Sequence, residues 1–236
     1  MAILVGVQPG GKGNFAVTAL YWSGNLPAIV FRARSYSGVD EVLGDIMGTT
    51  GEWGNLTMVA IAAPLTWSGS PSGWRRCDRA MMKALPSWAP KTWLRAPNSL
   101  PGAVSVQGPA LTWAMAKEAK VGQLPAHGVV ETHPRISLAN IAGDLQGAVL
   151  DYRRRDTSSD ARQAHVETLL KRLTEPGLLR IDADSPRGPD ELDALVCAMV
   201  ALGVAVPDAG LVIQEHPGGD IRPVGKRSVM LLSAFP

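Results

Sequence analysis

Three short, almost wholly apolar runs constrain the fold of this chain more than any other feature. They cover residues 3–7, 58–62 and 129–131, and turn-forming residues follow the first and the last. Each run is too short for a buried helix, so each predicts a central strand of a sheet covered on both faces. At 236 residues the chain is long enough for one well-packed α/β domain with an insertion, and we expect a single domain spanning residues 1–236.

The segments around these runs extend the same pattern. Residues 15–22 and 28–34 are β-rich and are separated by Ser23-Gly24-Asn25, which predicts an antiparallel three-stranded opening together with residues 3–7. Apolar periodicity and capping residues predict five helices, and two apolar runs near the end predict a hairpin or edge strands. The helices are expected at 39–47, 107–121, 136–150, 160–173 and 189–203, and the final strands at 211–213 and 229–232.

A stretch from about residue 64 to 106 differs in composition and is interpreted as an insertion or lid. It contains four of the seven tryptophans, Trp67, Trp74, Trp88 and Trp93. Residues 75–95 contain one acidic residue, Asp78, and six basic residues: Arg75, Arg76, Arg79, Lys83, Lys91 and Arg95. Cations beside aromatic rings suit single-stranded nucleic acid, DNA or RNA. The slightly favoured alternative is that the tryptophans pack the lid onto the domain while the bases stay solvated.

Net charge, cysteine count and the N-terminal sequence limit the class of protein that this chain can be. The formal net charge is only +2, so attraction for nucleic acid has to come from local patches. Two cysteines, Cys77 and Cys197, are too few for a disulfide framework or a zinc cluster. The N-terminus has neither a signal-peptide pattern nor an apolar run long enough to span a membrane, which favours a cytoplasmic protein with no membrane contact. The sequence does not indicate an oligomeric state.

The glycine-rich segment from Gly6 to Gly13 nearly matches a phosphate-binding loop. Gly13, however, stands where that motif needs a hydroxyl for magnesium, and the residues after it resemble a strand rather than a helix. The segment therefore favours a hairpin turn.

Two carboxylates stand at informative positions. Glu131 ends the third apolar run, and Asp193 lies on the last helix, one turn before Val196 and Cys197. An ionised carboxylate in apolar surroundings is costly unless a cation or hydrogen-bond donors meet it. Each can simply pair with a nearby arginine. Taken together, the two favour ligation of a hard divalent ion such as Mg²⁺ or Mn²⁺.

Five short segments stand in a characteristic order along the chain. They are Val5-Gly6-Val7-Gln8-Pro9-Gly10, Ala60-Ile61-Ala62-Ala63-Pro64-Leu65, Arg76-Cys77-Asp78-Arg79, Val130-Glu131-Thr132-His133-Pro134 and Glu191-Leu192-Asp193-Ala194-Leu195-Val196-Cys197-Ala198. This ordered set resembles the DUF429 family of predicted ribonuclease H-like nucleases. The resemblance implies a ribonuclease H-like α/β fold: a mixed sheet of three antiparallel strands followed by parallel strands, flanked by helices. It also implies metal-assisted hydrolysis of a phosphodiester. An actin-like ATPase is disfavoured because one such domain lacks the half that closes over ATP.

The chain departs from the family pattern at two positions. The resemblance implies Asp at 8 and 62, where this sequence has Gln8 and Ala62. Two metal ions about 4 Å apart need several carboxylates, and an amide oxygen brings no charge. The prediction is a weak or inactive nuclease in which Glu131 and Asp193 remain as catalytic and metal-binding residues. The alternative is a non-catalytic scaffold of the same fold that binds nucleic acid or protein.

Secondary roles follow from position. Asp190, His133 and Asp78 are expected accessories of the acidic site. Arg75, Arg76, Arg79 and Lys83 are the expected nucleic-acid contacts. The run Arg153-Arg154-Arg155 is expected to be a solvated face.

Overall fold

The structure of the protein, a computed structural model, describes residues 2–10, 14–25, 27–53, 56–100, 104–120, 128–182, 185–217 and 228–234. Residues 11–13, which complete the expected glycine-rich turn, lie outside this set. The strands on either side of them pair antiparallel, as a hairpin requires. Of the helices within the described ranges, none has the length and apolar character needed to cross a membrane.

A mixed sheet forms the centre of the molecule. Its strands are β1 (Ala2–Pro9), β2 (Phe15–Trp22), β3 (Ala28–Tyr36), β4 (Leu56–Ile61), β5 (Gly128–Thr132), β6 (Leu179–Ile181), β7 (Val212–Pro217) and β8 (Ser228–Ala234). Their order is β6-β3-β2-β1-β4-β5-β8-β7. The first three strands are antiparallel, and β4, β5 and β8 join parallel to β1 in succession. The predicted antiparallel opening, the central strands and the terminal strand pair are confirmed; β6, of three residues, has no signal in the sequence.

Helices cover both faces of the sheet. They are α1 (Val39–Trp53), α2 (Arg76–Ala84), α3 (Val104–Lys120), α4 (Pro134–Ile141), α5 (Gln146–Asp151), α6 (Ser159–Thr174) and α7 (Pro189–Ala205). One apolar core packs β1 and β4 side chains with α1 and α3. The other packs the opposite face with α4, α5, α6 and α7. Apolar side chains alternate between these cores along β1, which is why this strand is buried on both faces.

The single helix expected at 136–150 is wrong. The chain leaves helical geometry at Ala142, with φ −126° and ψ 38°, and makes a short 3₁₀ turn over Gly143–Leu145 before α5 begins. Glycine favours such a break because ordering it in a helix costs more conformational entropy than ordering alanine. The break matters for the site, because it directs the end of α5, and Tyr152 and Arg153 after it, towards α7.

The expected insertion contains α2, which the sequence analysis did not predict. Cys77 and Met81 on its buried face pack with Leu94, Ile136 and two β8 residues. Trp88 and Trp93 pack against the main core, and their rings meet edge to face with centroids 6.3 Å apart. Trp88 and Trp93 therefore pack the insertion onto the domain, as the favoured alternative expected of the tryptophans.

Candidate functional site: two carboxylates held by arginines

The carboxyl ends of β1, β4 and β5 bring three of the predicted positions side by side. Val7 pairs with Ile61, and Ile61 pairs with Glu131. Gln8 and Ala62 therefore follow directly at the same edge of the sheet, and the Ala62 amide donates to the Val7 carbonyl at 2.8 Å. Parallel strands end on the same side, so this edge is where an α/β sheet places its ligands.

Helix α7 brings the fourth position to this edge, because Gly6 lets it approach β1 closely. A side-chain carbon built on Gly6 would lie 1.9 Å from the Ala194 carbonyl oxygen. Any larger residue would push α7 away from the sheet. The close packing buries Asp193 next to the ends of β1 and β4.

All four positions line one cavity of about 360 Å³. Asp78 and His133, two of the expected accessories, line it too. Asp190 does not line this cavity, and its side chain is 40% exposed. The predicted positions thus lie around one cavity, and each carboxylate meets an arginine, the alternative to metal ligation that the sequence left open.

Glu131 is 4% exposed and is satisfied by protein donors. Arg75 donates to both of its oxygens, Nη1 to Oε2 at 2.7 Å and Nη2 to Oε1 at 2.6 Å. The Leu65 backbone amide donates a third bond to Oε2 at 2.8 Å. This paired geometry is among the strongest contacts available to a carboxylate.

Arg75 is shared with a second buried acid. Its Nε donates to Asp78 Oδ2 at 3.0 Å and its Nη2 to Asp78 Oδ1 at 2.6 Å, while Nη1 also reaches the Thr66 hydroxyl at 3.0 Å. Burial disfavours the charged guanidinium, but the carboxylates of Glu131 and Asp78 outweigh that cost and raise the pKa of Arg75 above its usual value. Burial raises the pKa of Glu131, and Arg75 opposes the rise.

This location corrects the role expected for Arg75. Its side chain is 2% exposed and its donors are committed to Glu131, Asp78 and Thr66. A nucleic-acid phosphate cannot reach it without breaking those bonds. The exposed bases of α2 are Arg76, Arg79 and Lys83, which share one helical face by their spacing.

Asp193 is held by two residues from the end of α5. The Tyr152 hydroxyl donates to Oδ1 at 2.6 Å, and Arg153 Nη1 donates to Oδ2. Arg153 Nη2 donates to Asp190, so one guanidinium bridges both acids of α7. Burial raises the pKa of Asp193, whereas Arg153 and the Tyr152 hydroxyl lower it. The expectation that residues 153–155 form a solvated face is wrong for Arg153, whose side chain is only 25% exposed.

These contacts test whether Mg²⁺ or Mn²⁺ fits the site. Every carboxylate oxygen of Glu131 and Asp193 already accepts from a cation or a hydroxyl. Gln8 offers one neutral oxygen, and Ala62 offers no donor. Within the described ranges, no three His, Cys, Asp or Glu side chains converge as metal ligands. The residues present do not fit a divalent-metal centre, since two guanidinium groups hold the charges that metal ions would otherwise neutralise.

The cavity lining also contains a guanidinium that sequence reasoning missed. Arg135 lies over two rings, 5.3 Å from the centroid of Trp93 and 5.7 Å from that of Tyr152. His133 Nε2 lies 3.2 Å from the Trp93 carbonyl oxygen, and burial lowers the pKa of His133 to about 4, so it is neutral at pH 7. The Thr132 hydroxyl is buried and has no hydrogen-bond partner among the described residues.

Strand order defines the fold class of the protein. Three antiparallel strands followed by parallel β4 and β5, with helices on both faces, are the arrangement of a ribonuclease H-like α/β fold. The family model described as "Protein of unknown function (DUF429)" matches residues 11–217, and the chain belongs to that family.

Several solved structures share the overall arrangement at low similarity. Thermus thermophilus RuvC is 12% identical, with 86% of this chain and 95% of that chain covered and a TM-score of 0.44. A second T. thermophilus RuvC structure, in complex with a Holliday junction substrate, is 12% identical with coverages of 84% and 90% and a TM-score of 0.42. The yeast mitochondrial Holliday junction resolvase is 10% identical with coverages of 84% and 77% and a TM-score of 0.38. No curated protein matches the sequence.

Proposed function

We propose that this protein binds nucleic acid on a ribonuclease H-like fold without metal-dependent cleavage. The observation that carries the proposal is the saturation of both remaining carboxylates, Glu131 by Arg75 and Asp193 by Arg153. Metal-assisted hydrolysis needs carboxylate oxygens free to bind ions that activate water. Here a metal would first have to displace Arg75 from Glu131 or Arg153 from Asp193, and Arg75 would then lose one partner of a buried cluster.

The surface of the insertion supports nucleic acid as the ligand. Its only acid in residues 64–100 is Asp78, and that residue is buried against Arg75. The exposed bases are thus not offset by any exposed acid of the same stretch, and they are Arg76, Arg79, Lys83, Lys91 and Arg95. Such a surface attracts phosphates. Because Trp88 and Trp93 pack against the domain, we expect contacts to the backbone phosphates to dominate and sequence preference to be weak.

The first experiment tests cleavage. The native chain and a Gln8→Asp/Ala62→Asp variant are incubated with labelled single-stranded and duplex DNA and RNA in Mg²⁺ or Mn²⁺, and metal binding is followed by calorimetry. We expect no cleavage and no saturable metal binding by the native chain. The double variant adds two anions at the cavity, so any gain in metal affinity is confined to it. Slow Mg²⁺-dependent cleavage by the native chain would refute the proposal in favour of a weak nuclease, and brisk cleavage would refute both.

The second experiment tests binding. Fluorescence anisotropy with a labelled oligonucleotide compares Arg76→Gln/Arg79→Gln with Arg154→Gln/Arg180→Gln, which removes the same charge from exposed arginines paired with Asp156 and Asp182. Each lost contact to a single strand should lower the slope of log K against log salt by about 0.7. We expect the first variant to lose affinity and slope and the second to keep both. Equal losses in the two variants would mean that only net charge matters.

A further inference from the structure

A second cavity lies on the other side of Arg153 from the cleft described above. Its volume is about 340 Å³, and its lining includes four arginines, Arg153, Arg155, Arg162 and Arg187, with a single acid, Asp190. Three separate segments supply them: the link after α5, α6 itself and the link before α7. The fold, rather than a run in the sequence, therefore builds this concentration of positive charge.

Among the residues that the structure describes, most of that charge has no acidic partner. Arg153 is paired with Asp190 and Asp193. In the described part of the chain, Arg155, Arg162 and Arg187 have no carboxylate within ion-pair distance. The neighbouring Glu191 accepts hydrogen bonds from Ser35 and from the Arg187 backbone amide, and it does not line the cavity.

Three like charges converging on one concave surface repel each other, and concave walls of one sign focus the field. A ligand that carries two or more negative charges removes the repulsion and makes use of that field. Guanidinium groups bind the oxygens of phosphate with paired, planar hydrogen bonds, which a carboxylate with one charge exploits less fully. Ser159 and Gln163 add polar side chains to the same wall.

We propose that this second cavity is a binding site for a phosphate-class anion with at least two negative charges. The inference goes beyond nucleic-acid binding by α2, because its residues lie on other elements and it needs no metal. The phosphoryl groups can belong to a small phosphorylated molecule or to a nucleic-acid chain, and the chemistry of recognition is the same for both.

The test is calorimetry of the full-length chain with sodium pyrophosphate at low, constant ionic strength. We expect saturable binding by the native chain. Arg155→Gln, Arg162→Gln and Arg187→Gln should each weaken it about tenfold, and that factor corresponds to about 1.4 kcal/mol. The matched control is Arg180→Gln, an exposed arginine that is paired with Asp182 and does not line the cavity, and this variant should bind as the native chain does. Circular dichroism confirms that each variant is folded.

Competition identifies the source of the phosphate. If an unphosphorylated oligonucleotide and its 5′-phosphorylated form displace pyrophosphate equally well, the site binds backbone phosphates. Displacement only by the 5′-phosphorylated form, or only by inorganic phosphate, identifies a terminal or free phosphoryl group. Absence of saturable pyrophosphate binding, or equal weakening by Arg180→Gln, overturns the inference. Neither result bears on nucleic-acid binding through Arg76 and Arg79, which the anisotropy experiment tests separately.

Discussion

Arginines neutralise both carboxylates of the cavity, Glu131 and Asp193, but in surroundings that differ in exposure. Arg75, Asp78 and Glu131 form a closed cluster, with side-chain exposures of 2%, 2% and 5%. Arg153 lies at the boundary of two cavities with its side chain 25% exposed, and it shares its charge between buried Asp193 and half-exposed Asp190. The first cluster is closed to solvent and serves the packing of the protein. The second places a cation at a surface that a ligand can reach.

The largest expected effect comes from breaking the closed cluster. Arg75→Met should lower the free energy of unfolding by about 3–5 kcal/mol, because two buried carboxylates lose their cation at once. Arg153→Met should cost less, since water can reach Asp190 and part of the site. Urea unfolding measures both, with Arg76→Met as an exposed neighbour expected to stay within about 0.5 kcal/mol of the native chain.

A second substitution separates charge from geometry in the same cluster. Arg75→Lys keeps the charge but loses the planar fork that contacts both acids. It should recover only part of the stability lost in Arg75→Met. Equal losses for Arg75→Met and Arg153→Met would contradict the distinction between a closed and an open cluster.

The sequence predicted the strands that lead into this site but not the partners of its carboxylates. The runs that precede Gln8 and end at Ala62 and Glu131 have a local pattern, so each strand could be predicted, whereas the resemblance to the DUF429 family implied that these positions belong to one site. The arginines carry no such local signal. Arg75 is 56 residues from Glu131, and Arg153 is 40 residues from Asp193. Their pairing depends on how the insertion folds back and on the helix break at Ala142, which tertiary packing decides.

Protonation of His133, two residues after Glu131, should have an intermediate effect on the free energy of unfolding. Because burial lowers the pKa of His133 to about 4, the unfolded chain binds this proton more readily than the folded chain between about pH 6.5 and 4. Neutral His133 therefore causes no loss of stability above about pH 6.5. As the pH falls towards 4, the free energy of unfolding decreases by about 2–3 kcal/mol.

The measurement is the free energy of unfolding at pH 7 and pH 4.5 in the native chain and in His133→Gln. We expect the drop between these two pH values to be smaller in the variant, whereas His165→Gln on α6 should show the native drop. An unchanged drop in His133→Gln would mean that the carboxylates alone control the acid response of this region.

The smallest effect is expected on the open side, where Tyr152→Phe removes one hydrogen bond to Asp193. The Tyr152 hydroxyl donates at 2.6 Å, but Arg153 still neutralises the other carboxylate oxygen and the ring that contacts Arg135 is retained. A hydrogen bond to a charged group contributes about 1.5–3 kcal/mol, and entry of water from the cavity should reduce the loss to about 1–2 kcal/mol. Urea unfolding tests this value. A loss as large as that of Arg75→Met would show that Asp193 is as closed as Glu131, and Arg153 could then not serve a ligand without unfolding its surroundings.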